Sequence, residues 1–336
     1  MTYLTPSPYH SRREFLGTSL TCAAHLALMA GPFSASTRRL WAARPRGRIV
    51  AEEPFGRLEE IGDGLYALIS TPLGGDYTTV SNGGIIAGRS GVLVVEALMT
   101  PDGAAWLAAQ ARELTGRWPT HVAVTHYHGD HSRGVTGYSP ESAAGPAVLA
   151  TETSRDLVLA QPAQGEESDE TRRHTRLWAD VTLLGAKQTT TIDLGGRTVR
   201  IVPRAGHTAS DVTIEVPEDS VVWCGDLVWI DMFPNYVDAV PSHLSQSVRA
   251  IQDPGWKTYI PGHGPLADAD AYARYVGVID DVERAAWDAL ERGLTAEEAG
   301  SLYELPGKFG EWTLFNPRYY ERAIGAWMRE LTPESG

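Results

Sequence analysis

The chain has 336 residues, which is enough for one large domain or two ordinary ones with a substantial buried core. Apolar residues make up 43% and charged residues 21%, as in soluble globular proteins, so a fibrous or disordered chain is excluded. The net charge of −13 disfavours a nucleic-acid partner, because phosphate backbones are held by clustered lysine and arginine.

The N-terminus carries an export-signal pattern. Residues Ser11–Gly17 read Ser-Arg-Arg-Glu-Phe-Leu-Gly and resemble the twin-arginine signal, in which paired arginines precede an apolar stretch. The apolar run over about residues 15–33 is interrupted by polar and turn-forming residues, which favours a removed signal peptide over a stable membrane anchor. The small residues Ser34–Ser36 suit cleavage after Ser36, and a cut near Ala42 or Ala43 is the alternative.

These features predict the domain organisation. Residues 1–36 form a twin-arginine signal peptide that engages the twin-arginine export machinery, so the mature protein is expected to be periplasmic or extracellular. Residues 37–57 are rich in arginine, proline and glycine and are predicted to be a linker. Residues 58–333 are predicted to form one domain, with C-terminal helices from about residue 266.

Strand and helix patterns alternate within this domain. Residues 101–115 have apolar positions at helical spacing, and short β-branched runs lie on both sides of them. This order of strands and helices predicts an α/β fold. The charged stretch 164–180 is predicted to be either a solvated helix or a cover over the cleft. The predicted strands are 65–69, 84–87, 92–95, 121–125, 190–193, 198–202, 212–216 and 221–224, and helices are predicted over 271–290 and 318–331.

A dense group of metal-ligating residue types follows the predicted strand 121–125. The segment His126–His131 contains three imidazoles and one carboxylate within six residues. A tight loop can point such residues into one cavity, and imidazole and carboxylate donors suit two adjacent divalent cations. Three more candidates come much later, each after a predicted strand and beside a glycine: His207, Asp226 and His263.

Taken together, these motifs resemble the metallo-β-lactamase superfamily signature. They read His-x-His-x-Asp-His, Gly-His, Gly-Asp and Gly-His-Gly in that order, over about residues 60–265. The resemblance implies a four-layer αββα sandwich with the site at one edge, between the two sheets. It also implies which ligands bind each metal: His126, His128 and His207 the first, Asp130, His131 and His263 the second, with Asp226 bridging both.

The expected cofactor is a pair of divalent metal ions, zinc in the first instance, with iron or manganese as alternatives. Two such ions lower the pKa of a bridging water toward about 7, so hydroxide is available at neutral pH. The hypothesis is that this hydroxide attacks an ester, thioester, lactone or related bond of a small-molecule substrate. Asp130 is predicted to be the catalytic residue that orients the hydroxide and takes its proton.

The bridging carboxylate distinguishes subgroups of the superfamily. Class B1 and B2 β-lactamases have a cysteine where this chain has Asp226, and class B3 enzymes lack the bridging aspartate, so a glyoxalase II-type site is favoured. The segments Gly225–Pro241 and Asn82–Gly84 resemble exported, sulfur-oxidation-associated hydrolases called SoxH-like. Within the first of these segments, Tyr236 and Asp238 are candidate pocket residues, against an alternative role as loop caps.

Two further residues are candidates for support of the site. Glu96 ends a predicted strand where the family usually carries an aspartate that supports the metal loop. Tyr127 lies between two predicted ligands and either lines the pocket or packs against the fold. Three alternative functions remain at this level: a mononuclear-iron sulfur (persulfide) dioxygenase, a β-lactamase, and a non-catalytic metal-binding protein.

Overall fold

The computed structural model describes residues 46–71, 75–138, 145–161 and 168–332 of the chain. The predicted signal peptide, residues 1–36, lies outside these ranges. The described residues form two β-sheets with helices on their outer faces, in the order helices, sheet, sheet, helices. The predicted four-layer αββα architecture is therefore confirmed.

The first sheet contains eight strands that lie side by side in chain order. The pairings from β1 to β5 are antiparallel, and those from β5 to β8 are parallel. The strands are β1 (Arg48–Glu53), β2 (Gly56–Gly62), β3 (Leu65–Ser70), β4 (Gly83–Ala87), β5 (Val92–Val95), β6 (His121–Ala123), β7 (Ala147–Thr151) and β8 (Thr182–Leu184).

The second sheet contains five strands in the order β13-β12-β11-β10-β9. Its pairings are antiparallel except for the parallel pair of β12 and β13. The strands are β9 (Thr190–Asp193), β10 (Thr198–Pro203), β11 (Val212–Val216), β12 (Val221–Trp229) and β13 (Thr258–His263).

Helices cover the outer faces of both sheets. Helix α1 begins where Thr100 accepts a hydrogen bond from the Gly103 amide and ends at Gly116 in the left-handed conformation (φ 73°). Among the described residues, none of the helices combines the length and apolar character needed to cross a membrane. The helices are α1 (Pro101–Thr115), α2 (Gly129–Ser132), α3 (Glu152–Ala160), α4 (Asp169–Ala179), α5 (Pro241–Gln252), α6 (Ala269–Glu291), α7 (Ala296–Leu302) and α8 (Tyr319–Leu331).

Two apolar layers hold the domain together. The first lies between the sheets, where alternate residues of β3 and β10 such as Ala67 and Ile201 face each other's sheet and are fully buried. The second lies between β12 and helices α5, α6 and α8. In this layer the Tyr275 ring is buried, and its hydroxyl donates a hydrogen bond to the Leu227 carbonyl at 2.8 Å. The buried hydroxyl is therefore paired.

One predicted boundary is wrong. Strand β1 lies inside the segment 37–57 that was predicted to be a linker, and it pairs with β2 from Arg48–Glu60 to Glu53–Gly56. The two side chains of the first pair also form an ion pair. An edge strand needs backbone partners on one side only and tolerates charged side chains. A charged sequence without regular alternation of apolar and polar residues can therefore still complete a sheet. The ordered fold therefore begins before residue 58.

The charged stretch 164–180 contains a helix, which confirms the first of the two predicted alternatives. Ser168 caps α4 by accepting a hydrogen bond from the Thr171 amide. The only fully buried side chain of α4 is Trp178, whose indole N–H donates to the Ser132 carbonyl at 3.3 Å. Helix α4 thereby contacts the turn that follows His126–His131, the segment called the metal loop below.

Candidate metal centre

The sequence-predicted ligands converge at one edge of the two sheets. The segment after β6, which continues into the short helix α2, supplies His126, His128, Asp130 and His131. The loop between β10 and β11 supplies His207, and the neighbouring parallel strands β12 and β13 supply Asp226 and His263. A glycine makes the approach of these strands feasible. A β-carbon at Gly262 would lie 1.9 Å from Asp226 Oδ1, so any larger residue would displace the carboxylate.

The first cluster consists of three imidazoles and one carboxylate oxygen, all of them buried. His207 Nε2 lies 3.0 Å from His128 Nδ1 and 3.4 Å from Asp226 Oδ2. His126 Nε2 lies 4.0 Å from the same carboxylate oxygen. The four candidate ligand atoms lie within 4.8 Å of one another, a separation that one cation between them can span.

The second cluster lies beside the first and contains Asp130, His131 and His263. His263 Nε2 lies 3.2 Å from Asp130 Oδ2 and 3.3 Å from Asp226 Oδ1. His131 Nε2 lies 3.1 Å from Asp226 Oδ1 and 3.5 Å from Asp130 Oδ2. The Asp130 side chain is 21% exposed and gives this cluster its opening to solvent.

Asp226 faces both clusters with different oxygens. Its Oδ2 is directed at His126 and His207, and its Oδ1 is directed at His131 and His263. The carboxylate is only 4% exposed. This is the geometry in which one carboxylate can bridge two cations.

The donor atoms of the site fit metal ions better than they fit one another. His126 Nε2, His131 Nε2 and Asp226 Oδ1 are all buried and make no well-aligned hydrogen bond. Buried polar atoms normally have partners, since an unpaired one costs about 1–3 kcal/mol. Divalent cations placed among these atoms would satisfy all of them, with donor types that zinc, iron and manganese accept.

The protonation states of the imidazoles differ between the clusters. Burial holds the pKa of His126 well below its usual value and lowers the pKa of His207 to about 4, so both are neutral donors. Although burial opposes the shift, the carboxylates raise the pKa of His131 and raise that of His263 to about 9. Burial also opposes the shift at Asp226, but His263 and His131 hold its pKa well below its usual range. In the absence of metal, protons therefore occupy the second cluster.

Glu96 lies where the predicted supporting role requires it. Its Oε1 is 3.0 Å from His131 Nδ1, on the side of the ring away from Asp226. The same carboxylate accepts hydrogen bonds from the Thr125 hydroxyl at 2.5 Å and the Thr125 amide at 3.2 Å. Glu96 has a left-handed backbone (φ 74°), which costs energy for a non-glycine residue and is often found at functional sites.

Asp238 and Tyr127 meet on the outer side of His128. Asp238 Oδ2 lies 2.8 Å from His128 Nε2 and also accepts the Tyr127 hydroxyl. A proton held on Nε2 by this carboxylate leaves the Nδ1 lone pair of His128 free for the first cluster. The structure thus places Asp238 beside the site and Tyr127, 5% exposed, behind it.

Tyr236 does not line the site, so its predicted position is wrong. It is 1% exposed and belongs to the apolar layer between β12 and the C-terminal helices. The chain bends at Val237 and Asp238, so the two predicted pocket residues do not share a face as they would in an extended strand. Burial raises the pKa of Tyr236, as expected for a phenol that packs among aromatic and aliphatic side chains.

Sequence reasoning missed three contributors to the site. Thr125 links Glu96 to the metal loop, and its hydroxyl is 3.1 Å from His126 Nδ1. Asp211 accepts hydrogen bonds from the amide and hydroxyl of Thr208 and so fixes the loop beside His207. The Trp229 ring lies against the His263 ring, with centroids 4.2 Å apart. Only the Thr208-x-x-Asp211 spacing, typical of a side-chain-stabilised turn, gave a signal in the sequence.

Comparisons with known proteins agree with this geometry. A family model described as the metallo-beta-lactamase superfamily matches residues 77–263, a range that contains every predicted ligand. The hydroxyacylglutathione hydrolase of Acidiphilium cryptum (strain JF-5) is 26% identical over 215 residues, which cover 62% of this chain and 75% of that protein.

Solved structures show a similar fold. The metallo-beta-lactamase from Pontibacter korlensis has a TM-score of 0.54 at 18% identity and covers 67% of this chain and 99% of its own. The stereoselective inverting sec-alkylsulfatase Pisa1 from Pseudomonas sp. has a TM-score of 0.63 at 15% identity and covers 94% of this chain and 62% of its own. At these identities the similarity concerns the fold alone.

Proposed function

This chain belongs to the metallo-beta-lactamase superfamily as a metallo-hydrolase, and from that premise we propose that it is a two-metal hydrolase of small-molecule esters, thioesters, lactones or related compounds. The observation that carries the proposal is Asp226, whose two oxygens face two separate groups of buried ligands. A site for a single metal would not need a second group of imidazole and carboxylate donors on the far oxygen.

We assign the ligands by cluster. His126, His128 and His207 would hold the first cation together with Asp226. Asp130, His131 and His263 would hold the second, also together with Asp226. Two divalent cations, zinc in the first instance, supply when bound a water that ionises near neutral pH and a Lewis acid for the substrate oxygen.

The protein's own residues position the reactants. Asp130 is the partly exposed carboxylate of the site, so it can orient the attacking water and accept its proton. Glu96 and Asp238 fix the ring orientations of His131 and His128 from outside. The attack is on the acyl carbon of the substrate, and the Asp130 proton is then available to the leaving group.

Two features support an ester or thioester substrate over a β-lactam. An aspartate occupies position 226 where the resemblance to class B1 and B2 β-lactamases would require a cysteine. One relative, from Acidiphilium cryptum, is a hydroxyacylglutathione hydrolase. The similarity of the segment 225–241 to SoxH-like hydrolases supports an exported member of the same group.

Metal content and turnover test the proposal together. We expect about two zinc ions, or a mixed pair, per mature chain, with hydrolysis of at least one member of a thioester, ester, lactone, phosphodiester and β-lactam panel. One iron per chain with oxygen consumption on persulfides would establish the dioxygenase instead. Turnover of β-lactams alone would establish a β-lactamase, and metal binding without any turnover a binding protein.

Asp130 provides the mechanistic test. Asp130→Asn keeps the size of the side chain but removes the proton acceptor, so we expect a folded protein whose kcat falls by about 10²- to 10⁴-fold, the usual range for a general base. Circular dichroism and thermal melting establish folding, and elemental analysis establishes how much metal remains. Unchanged turnover in the variant would refute the assigned role.

Export is a separate part of the proposal. The twin-arginine pattern at Arg12 and Arg13 supports a periplasmic or extracellular protein that folds before transport. Replacement of both arginines by lysine preserves the charge, and we expect it to trap precursor in the cytoplasm. Normal export of that variant, compared by cell fractionation with the unaltered chain, would contradict the twin-arginine route.

A further inference from the structure

A cavity of about 300 Å³ lies beside the predicted metal loop, next to helices α3 and α4. Apolar side chains including Met99 and Val158 form part of its wall. Its polar lining includes Arg133, Gln161 and His174. We call this cavity the Arg133 pocket.

Arg133, which lines the pocket, also lies against the metal loop at Gly129. A β-carbon at this residue would lie 2.6 Å from Arg133 Nε and 2.7 Å from Cζ, so the guanidinium rests directly on the glycine backbone. Gly129 stands between two predicted ligands, His128 and Asp130. The charge of Arg133 is therefore held against the loop that carries the site.

Arg133 has no carboxylate partner among the residues that the structure describes. Its one polar contact there is Met99 Sδ, at 4.0 Å. The carboxylate that lines the pocket, Glu170, is engaged elsewhere: it accepts the Thr136 hydroxyl and lies 3.6 Å from Arg173. The pocket thus presents an uncommitted cation, in a protein with a net charge of −13.

Gln161 ties the lining of the pocket to the metal loop, because its Nε2 reaches the Tyr127 carbonyl at 3.4 Å. His174 also lines the pocket, and its ring bonds the backbone of Ser132. The half-buried guanidinium of Arg133 therefore remains the group that suits a planar anion, with which it can form two parallel hydrogen bonds.

We propose that the Arg133 pocket binds a carboxylate carried by the acyl part of the substrate, at the end remote from the bond that is hydrolysed. The proposal rests on the hydrolase function proposed above and adds a substrate class to it: acyl compounds that end in a carboxylate. The apolar wall accommodates the methylene chain between the carboxylate and the reacting carbonyl.

A pair of substrates tests this selectivity. We compare p-nitrophenyl hexanoate with the mono-p-nitrophenyl ester of adipic acid, which has the same chain length and a terminal carboxylate. The measured quantity is the ratio of kcat/KM for the acidic ester to that for the neutral ester, in the zinc-loaded protein. We expect this ratio to fall about 10- to 100-fold in Arg133→Gln, as for loss of a hydrogen bond to a charged group.

Further variants distinguish charge from packing. Arg133→Lys keeps the charge without the planar fork and should reduce the ratio less than Arg133→Gln does. Gly129→Ala displaces the guanidinium without removing it and should also reduce the ratio. Arg176→Gln is the control. Arg176 is an exposed arginine of helix α4, which borders the pocket, but its own side chain does not line the pocket, so the ratio should stay unchanged.

The outcomes separate this inference from the proposed function. If neither ester is hydrolysed, the hydrolase proposal fails for esters, and calorimetric titration with adipate then tests the pocket alone. Adipate binding that is lost in Arg133→Gln supports the pocket, and equal binding by both proteins overturns it. If both esters are hydrolysed with the same ratio in the wild type and in Arg133→Gln, the pocket proposal is overturned and the hydrolase stands.

Discussion

The two ligand clusters of the candidate metal centre share one carboxylate but differ in burial and charge. The first cluster presents three imidazoles, two of them held neutral by burial, in a region closed to solvent. The second cluster contains Asp130, whose side chain is 21% exposed, and two imidazoles that neighbouring carboxylates keep protonated when no metal is bound. The same donor types thus form two different environments.

This difference suggests a division of labour within the site. The buried cluster can hold a cation without first losing many protons, so it suits a permanently bound ion. The exposed cluster must exchange protons for its cation and opens toward water at Asp130, so it suits the step in which a proton moves. The predictions below address this contrast, beginning with the residue that the clusters share.

Removal of Asp226 should weaken metal binding at both clusters at once. Asp226→Ala takes one ligand from each cluster. Replacement of a residue that only hydrogen-bonds to a ligand typically lowers metal affinity by roughly 10- to 100-fold. We expect a larger fall than this at both positions, and turnover to fall with it. Elemental analysis after dialysis and chelator competition measure the two affinities. Asp281→Asn is the matched control, because Asp281 is equally buried but lies in the helical core and accepts the Tyr303 hydroxyl.

The result that would contradict a bridging carboxylate is specific. If Asp226→Ala loses one metal and keeps the other at full affinity, the residue belongs to one cluster only. The distances from its two oxygens to His207 and His263 would then not reflect metal coordination.

Proton release should differ between the clusters. The pKa of His263 is raised to about 9 and that of His131 is also raised, so both carry an extra proton at pH 7 that a cation must displace. In the first cluster the pKa is raised only at His128, where Asp238 outweighs the opposing effect of burial. The affinity of the second cluster should therefore rise more steeply with pH than that of the first, up to about pH 9.

Zinc titrations in buffers of different ionisation enthalpy measure this proton release directly. We expect the weaker binding event to release more protons than the tighter event at pH 7. On acidification the second position should empty first. Loss of both metals at one pH, or earlier loss from the buried cluster, would show that the two environments do not differ as the structure implies.

The sequence was sufficient for the ligands because four of them stand close together just after a strand and the other three each directly follow a glycine. The spacing of residues 126–131 and the order of the later motifs identified every residue that the structure gathers into the two clusters. Strand β1 was missed because periodicity reports burial, whereas an edge strand of charged residues is held by backbone pairing. Tyr236 was misplaced because the bend that follows it separates its side chain from that of Asp238, which does lie beside the site.

Contacts between distant segments could not be predicted from the sequence either. Nothing in the sequence pairs Asp238 with His128, which is 110 residues away, or shows that Arg133 folds back over Gly129. Such contacts depend on how loops pack after the strands are in place. They decide how each ligand is held, which the motif alone leaves open.

The smallest effects are expected from the two carboxylates that contact a ligand without being ligands themselves, one for each cluster. Asp238→Asn removes the carboxylate that holds the proton on His128 Nε2, and Glu96→Gln removes the carboxylate beside His131 Nδ1. We expect each change to weaken zinc binding about 10- to 100-fold at its own cluster and to leave the other affinity nearly unchanged. Chelator competition on the two variants and the double variant measures both affinities. If either single change weakens both positions equally, the clusters are coupled through Asp226 and cannot be treated as separate sites.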